Sequence, residues 1–102
     1  MRRVAPLVLA AALAACRPGG RSDLTAADPV RRAAAVERLG APGDEKALPA
    51  LLVAQSDPHP RVRAAAAVAL GTRGGSRSLE ALAGMLADGD PEVVSAAARA
   101  MA

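Results

Sequence analysis

The feature that most limits what this chain can fold into is a repeat. Pro29, Pro60 and Pro91 stand 31 residues apart, and the same step relates Leu39, Leu70 and Met101, and Gly40, Gly71 and Ala102. It also carries Gly43 onto Gly74, Leu48 onto Leu79, Leu51 onto Leu82 and Asp57 onto Asp88. A fixed period of roughly 20 to 50 residues marks a solenoid, in which each unit buries its apolar face against the next. The period here runs through nearly everything after residue 27, so the chain is expected to stack small units rather than close around one centre.

Each unit reads as two helices. The first kind spans 46–56 and 77–87, where Leu48, Leu51, Leu52 and Gln55 are matched by Leu79, Leu82, Ala83 and Leu86 at i, i+3, i+4, i+7 spacing. The second kind spans 29–39, 60–70 and 91–101. Asp28-Pro29 and Asp90-Pro91 each place a capping carboxylate ahead of a proline at the first helical position. Gly40 and Gly71 fall where a left-handed C-terminal cap is expected. Pro49 lies early enough in its helix to be tolerated. The chain has no Phe, Trp, Tyr or Ile, so its core must be made of Ala, Leu, Val and Met. Alanine buries little area but favours helix and lets backbones approach closely. Composition and period together predict an all-α solenoid of about two and a half units, 28–40, 46–71 and 77–102.

DPHPRVRAAAAVALG (57–71) and DPEVVSAAARAMA (90–102) resemble the HEAT-repeat unit, in the short form found in proteins similar to phycobilisome lyases. Val62, Arg63, Ala66, Ala69, Leu70 and Gly71 match its pattern directly, and Val93, Ala97, Ala100 and Met101 match less closely, with Val94 where Arg is usual. Arg32, Ala35, Leu39 and Gly40 match in the first unit, with Arg31 in the place of Val and Arg38 in the place of Ala. The resemblance implies that Arg32 and Arg63 tie neighbouring units together through an aspartate near a turn, with Asp57, Asp88 and Asp90 as candidates. It also implies that the second-helix row lines a concave surface. Arg61, Ala64, Val68, Glu92, Ser95 and Arg99 would then face a protein partner, and the sparsely charged last helix would meet another copy or another protein. A lyase-like, chromophore-related role and a piece of a longer repeat protein stand as alternatives.

The N-terminus is of another kind. Arg2 and Arg3 precede a 12-residue apolar run, Val4 to Ala15, which is shorter than the ~20 residues that span a bilayer. This is the layout of an export signal. Leu13-Ala14-Ala15-Cys16 resembles the lipobox of bacterial lipoproteins. The resemblance implies a signal peptide at 1–15, lipid attachment at Cys16, a flexible tether over 16–27 and a place in the cell envelope. Arg17, rather than Asp, follows the cysteine, which leans towards the outer membrane. Two or three acyl chains hold a protein stably where one does not.

Other chemistry finds little support. The whole chain carries a formal charge of +3, but from Asp28 onward nine basic residues balance nine acidic ones. With no aromatic side chain to stack on bases, nucleic acid is not an expected partner. His59 is the only histidine and has no companion ligands, so neither a metal nor any other cofactor is expected. No hydroxyl sits in a catalytic motif, so no enzyme activity is expected. GTRGGSR (71–77) lacks the Gly-Lys-Ser/Thr ending and the preceding strand of a phosphate-binding loop.

Overall fold

The structure, a computed structural model, describes residues 21–41 and 46–102. Among them every regular element is helical: a 3-10 turn at Arg21–Thr25, then α1 Pro29–Arg38, α2 Ala47–Ala54, α3 Pro60–Arg73, α4 Ser76–Met85 and α5 Pro91–Met101. The expected signal segment and Cys16 lie outside the described residues. So does Gly43. The helices α1, α3 and α5 form one row, and α2 and α4 pack against it. The result is an α-solenoid of helix pairs, α2 with α3 and α4 with α5, preceded by α1 alone.

The row helices begin alike. Asp28 Oδ1 accepts the Val30 N–H at 2.9 Å, and Asp90 Oδ1 accepts the Glu92 N–H at 2.8 Å. At the start of α3 the acceptor is the His59 ring, whose Nδ1 takes the Arg61 N–H at 3.1 Å. Each cap satisfies an amide that a helix leaves unbonded, a contribution of about 1 kcal/mol. In all three a proline occupies the first turn, where its missing N–H costs nothing.

The core runs along α3. Val62, Ala64, Ala65, Ala66, Ala67, Ala69 and Leu70 are all buried, which is more than one stripe of a helix and leaves little of its circumference in water. A helix apolar on most sides belongs in an interior, and α3 accordingly touches α1, α2, α4 and α5. The neighbours supply Val36 from α1, Leu51 from α2, Leu82 and Met85 from α4, and Val93 and Ala97 from α5. Ser78 is the exception on this inner surface. It is 1 % exposed and its Oγ has no hydrogen-bond partner among the described residues, at the position that Ala47 fills in the unit before.

Gly40 and Gly71 are not left-handed caps. The positive φ angles among the described residues belong to Gly74 (73°) and Gly75 (95°), and α3 runs straight through Gly71 to Arg73. What requires glycine at 40 and 71 is the neighbouring helix. A Cβ on Gly71 would stand 2.6 Å from the Ala100 Cβ, and one on Gly40 would stand 3.0 Å from the Ala69 Cα. The reversal between α3 and α4 is made instead by Gly74, whose N–H donates to the Leu70 carbonyl at 2.9 Å, and by Gly75.

Two further expectations change. The first-kind helices are shorter than 46–56 and shifted from 77–87, because α2 and α4 finish in tight turns after Ala54 and Met85. Residues 21–25, read as part of a flexible tether, form the 3-10 turn, and its Leu24 packs against the core beside α1. One leucine in an otherwise polar segment is enough to dock it.

The glycines separate two effects that a sequence mixes. Gly71→Ala should lower stability by about 1–3 kcal/mol, since overpacking outweighs the helix propensity gained. Gly84→Ala, inside α4 with nothing within 4 Å of the new Cβ, should raise it by about 0.5–1 kcal/mol. Thermal melts of the two variants read the difference in sign.

Candidate functional site

Two features of the row could carry function: a ladder of arginines across its joints and a groove along its face.

The ladder has two rungs of the same geometry. Arg32 Nε and Nη2 donate to the two carboxylate oxygens of Asp57, at 3.1 and 3.0 Å. Its Nη1 donates to the carbonyls of Ala26 and Ala27. One period later, Arg63 Nε and Nη2 donate to Asp88 at 2.9 and 3.2 Å, and Nη1 reaches the carbonyls of Asp57 and Pro58. Each arginine therefore grips the turn before its own helix and the carboxylate at the end of the next first-kind helix. A planar guanidinium with a fixed fork of donors suits this two-sided task, which a lysine could not perform.

The aspartates are turn-makers as well. Asp57 Oδ1 accepts the His59 N–H and Asp88 Oδ1 accepts the Asp90 N–H, both at 2.9 Å. Asp90 itself takes no arginine among the described residues. It is the cap of α5. Hydrogen bonds from Arg63 and the Asp90 N–H hold the Asp88 carboxyl below the usual aspartate value, against the opposing pull of burial. Burial also pushes Asp57 up, but bonds from Arg32 and the His59 N–H outweigh it and leave that carboxyl low too. Bonding to Asp88 pushes Arg63 up from its ordinary value.

The groove is open, with a volume of about 600 Å³, and it crosses α1, α3 and α5. Its apolar lining is Ala64, Ala65, Val68, Ala96 and Ala100. Its polar groups are Glu37, Arg61, Thr72, Glu92 and Arg99. Of the expected partner-facing residues, the structure brings Arg61, Ala64, Val68, Glu92 and Arg99 together here. Ala64 is 8 % exposed and offers little surface, whereas Val68 is 50 % exposed. Ser95 is not in the lining. Its Oγ accepts from Arg99 Nη2 at 3.3 Å, steadying that guanidinium.

Sequence reading missed Glu37 and Thr72 among the polar groups, and Ala65, Gly71, Ala96 and Ala100 among the small ones. The period holds the signal for Glu37, since 37, 68 and 99 are equivalent positions. His59, read as an exposed turn residue, is exposed in the turn before α3 and also caps that helix. Among the described residues no group of three His, Cys, Asp or Glu gathers to hold a metal, and no helix is long and apolar enough to cross a membrane.

A family model described as HEAT repeats matches residues 21–102, which covers both the ladder and the groove. No curated protein matches the chain.

Replacing Arg63 with Met removes a rung and leaves Asp88 and two carbonyls short of donors, so stability should fall by about 1–3 kcal/mol. Arg31→Met, on the exposed side of α1, should change it by less than about 0.5 kcal/mol. Chemical denaturation of both variants makes the comparison.

Acid should act on the same rungs. Carboxylates held below their unfolded value stabilise the fold above about pH 4, and that contribution is lost as pH falls through the lower folded values. The melting temperature of the chain should therefore drop as pH falls from about 5 to 3, and Asp88→Asn should flatten the drop.

Proposed function

Because the chain belongs to the HEAT-repeat family, we propose that it is a protein-interaction module held at the bacterial cell envelope by a lipid on Cys16. HEAT repeats in general mediate contacts between proteins. In this chain the groove across α1, α3 and α5 is the docking surface, and it is the observation that carries the reading. Apolar side chains line it, with two guanidinium and two carboxylate groups spread among them. Such a surface suits a polypeptide that presents both apolar and charged groups. It is shallow and open, which suits a contact between proteins better than the enclosure of a small molecule.

The anchor rests on the sequence 13–16 and on its place after a short apolar run. A protein tied by acyl chains and carrying a partner-binding face would act as an adaptor, holding its partner near the membrane surface. Arg17 after the cysteine favours the periplasmic face of the outer membrane over the inner membrane as its place.

One experiment reaches both parts. A photo-crosslinking residue is placed at Val68, in the groove, or at Val53, which is 74 % exposed on α2 and outside it. Each full chain is produced in a bacterial host with an outer membrane, and adducts from its membrane fraction are weighed. The expected product is a chain that begins at Cys16, carries acyl groups and is joined to one recurrent protein from position 68 only. Adducts that are the same from both positions would remove the groove from the account, and an unmodified chain that begins at Met1 would remove the anchor.

A further inference from the structure

The charges of the groove are ordered. Most of its lining lies along α3, from Arg61 to Thr72, and along α5, from Glu92 to Ala100, and α1 reaches it through Glu37. Arg61 and Glu92 are equivalent positions one period apart, so they stand at one level of the row. Glu37, Val68 and Arg99 are equivalent in the same way and stand two turns further on. Opposite signs therefore face each other across the groove at both levels. Along it, the sign changes on each side: Glu92 gives way to Arg99 on the α5 side, and Arg61 to Glu37 on the other. All four residues are exposed. Among the described residues no other side chain engages Arg61, Glu37 or Glu92, and Arg99 meets the Ser95 hydroxyl.

Between these charges the floor is alanine, from the bodies of α3 and α5. The amides and carbonyls of Ala64, Ala65 and Ala96 are bonded along their own helices. An extended segment laid on them would find no main-chain partners there, and burying its N–H and C=O groups unpaired is unfavourable. A helix arrives with those groups already bonded. The spacing of the charges agrees. Glu92 and Arg99 are seven residues apart, about 10.5 Å along α5. On a helix lying alongside, residues seven apart share a flank at the same separation. An extended segment covers that distance in about three residues, and its first and last side chains then point to opposite faces.

We infer, taking the groove as the docking surface proposed above, that its occupant is an amphipathic helix of another protein, lying along α3 and α5. From Arg61 to Thr72 the groove runs about 16 Å, the length of about three helical turns. The apolar side chains of the occupant, at i, i+3 or i+4 and i+7, fill the space above the alanine floor, where small residues leave room for larger ones. Each of its flanks carries an acid and a base seven residues apart, in opposite order on the two flanks. On one flank a base meets Glu92 and an acid meets Arg99. On the other an acid meets Arg61 and a base meets Glu37. Charges of both signs at fixed places set the register of the helix and reject one whose flanks carry a single sign.

The test maps the occupant against the groove. In the cells that make the chain naturally, a photo-crosslinker is placed at Arg61, at Thr72 or, outside the groove, at Val53, one position at a time. The residue captured in each adduct is then located by mass spectrometry. Positions 61 and 72 should capture one segment of one protein, at residues about 11 apart, as a helix beside α3 requires. An extended segment would give residues about 5 apart. The double variant Arg61→Glu/Glu92→Arg keeps the net charge, alters exposed side chains only and reverses both signs at one level. It should lower the adduct yield from position 72 at least about tenfold, with an unchanged helical circular dichroism spectrum. Groove adducts that match those from Val53, or none at all, would remove the docking surface and its occupant together. Groove-specific adducts at residues about 5 apart, or a yield that survives the exchange of charges, would overturn the helical occupant and leave the docking surface standing.

Discussion

Everything in this stack depends on how closely one helix backbone can lie on the next. With no aromatic side chain and a core made largely of alanine, the chain cannot fill wide gaps between helices, so it removes the gaps. Along the row, glycine is set against alanine at both joints: Gly40 against Ala69 and Gly71 against Ala100. Dispersion falls steeply with separation, so a tight seam of small residues recovers contact that larger side chains would otherwise supply. The helix pays a modest propensity cost for a glycine in its interior, and the seam offsets it. The same closeness explains the shape of the surface. Helices this near to one another leave an open groove rather than a deep cavity.

The arginine ladder adds direction to that closeness. Small residues let helices slide and rotate against each other, because a smooth seam has few knobs. A guanidinium that must meet two carboxylate oxygens and two carbonyls in fixed directions removes much of this freedom. Each rung joins the turn before a row helix to the end of the next first-kind helix, so the angle between units is set by hydrogen bonds while the distance is set by glycine. The aspartates close the arrangement by ordering their own turns, which present the caps His59 and Asp90 to the next row helix. Packing, capping and ion pairing thus share the same few residues in each period.

Much of the fold was legible because the period and the prolines carry it. Pro29, Pro60 and Pro91 mark the starts of the row helices, and leucine spacing marks the helices packed beside them. The glycines at 40 and 71 were misread for a physical reason. Lack of a side chain serves a left-handed turn and a close contact equally well, and only the helix lying opposite, from the next unit, decides between them. Leu24 was similarly silent: one apolar residue among polar ones has no periodicity until α1 is there to receive it. Of the candidate surface, Arg61, Ala64 and Val68 on α3 and Glu92 and Arg99 on α5 were legible, but Thr72 was not, because it lies beyond residue 70, where that helix was expected to end. Ser95 was not, since turning a guanidinium and lining a groove look alike in a sequence. The two candidate partners of Arg63 were also inseparable in sequence, because Asp88 and Asp90 differ by two residues and only the turn between them sends one to the arginine and the other to the helix.

The close seam is the central claim, and a double-mutant cycle between positions 71 and 100 tests it most directly. Ala100→Gly alone should destabilise the chain by weakening α5. If the Cβ at 71 is harmful because it meets the Ala100 Cβ, the double variant Gly71→Ala/Ala100→Gly should be more stable than the sum of the two single changes allows, by about 1 kcal/mol. Strict additivity of the two changes would contradict the account, because it would mean that a Cβ at 71 does not meet the Ala100 Cβ, its nearest neighbour in the seam.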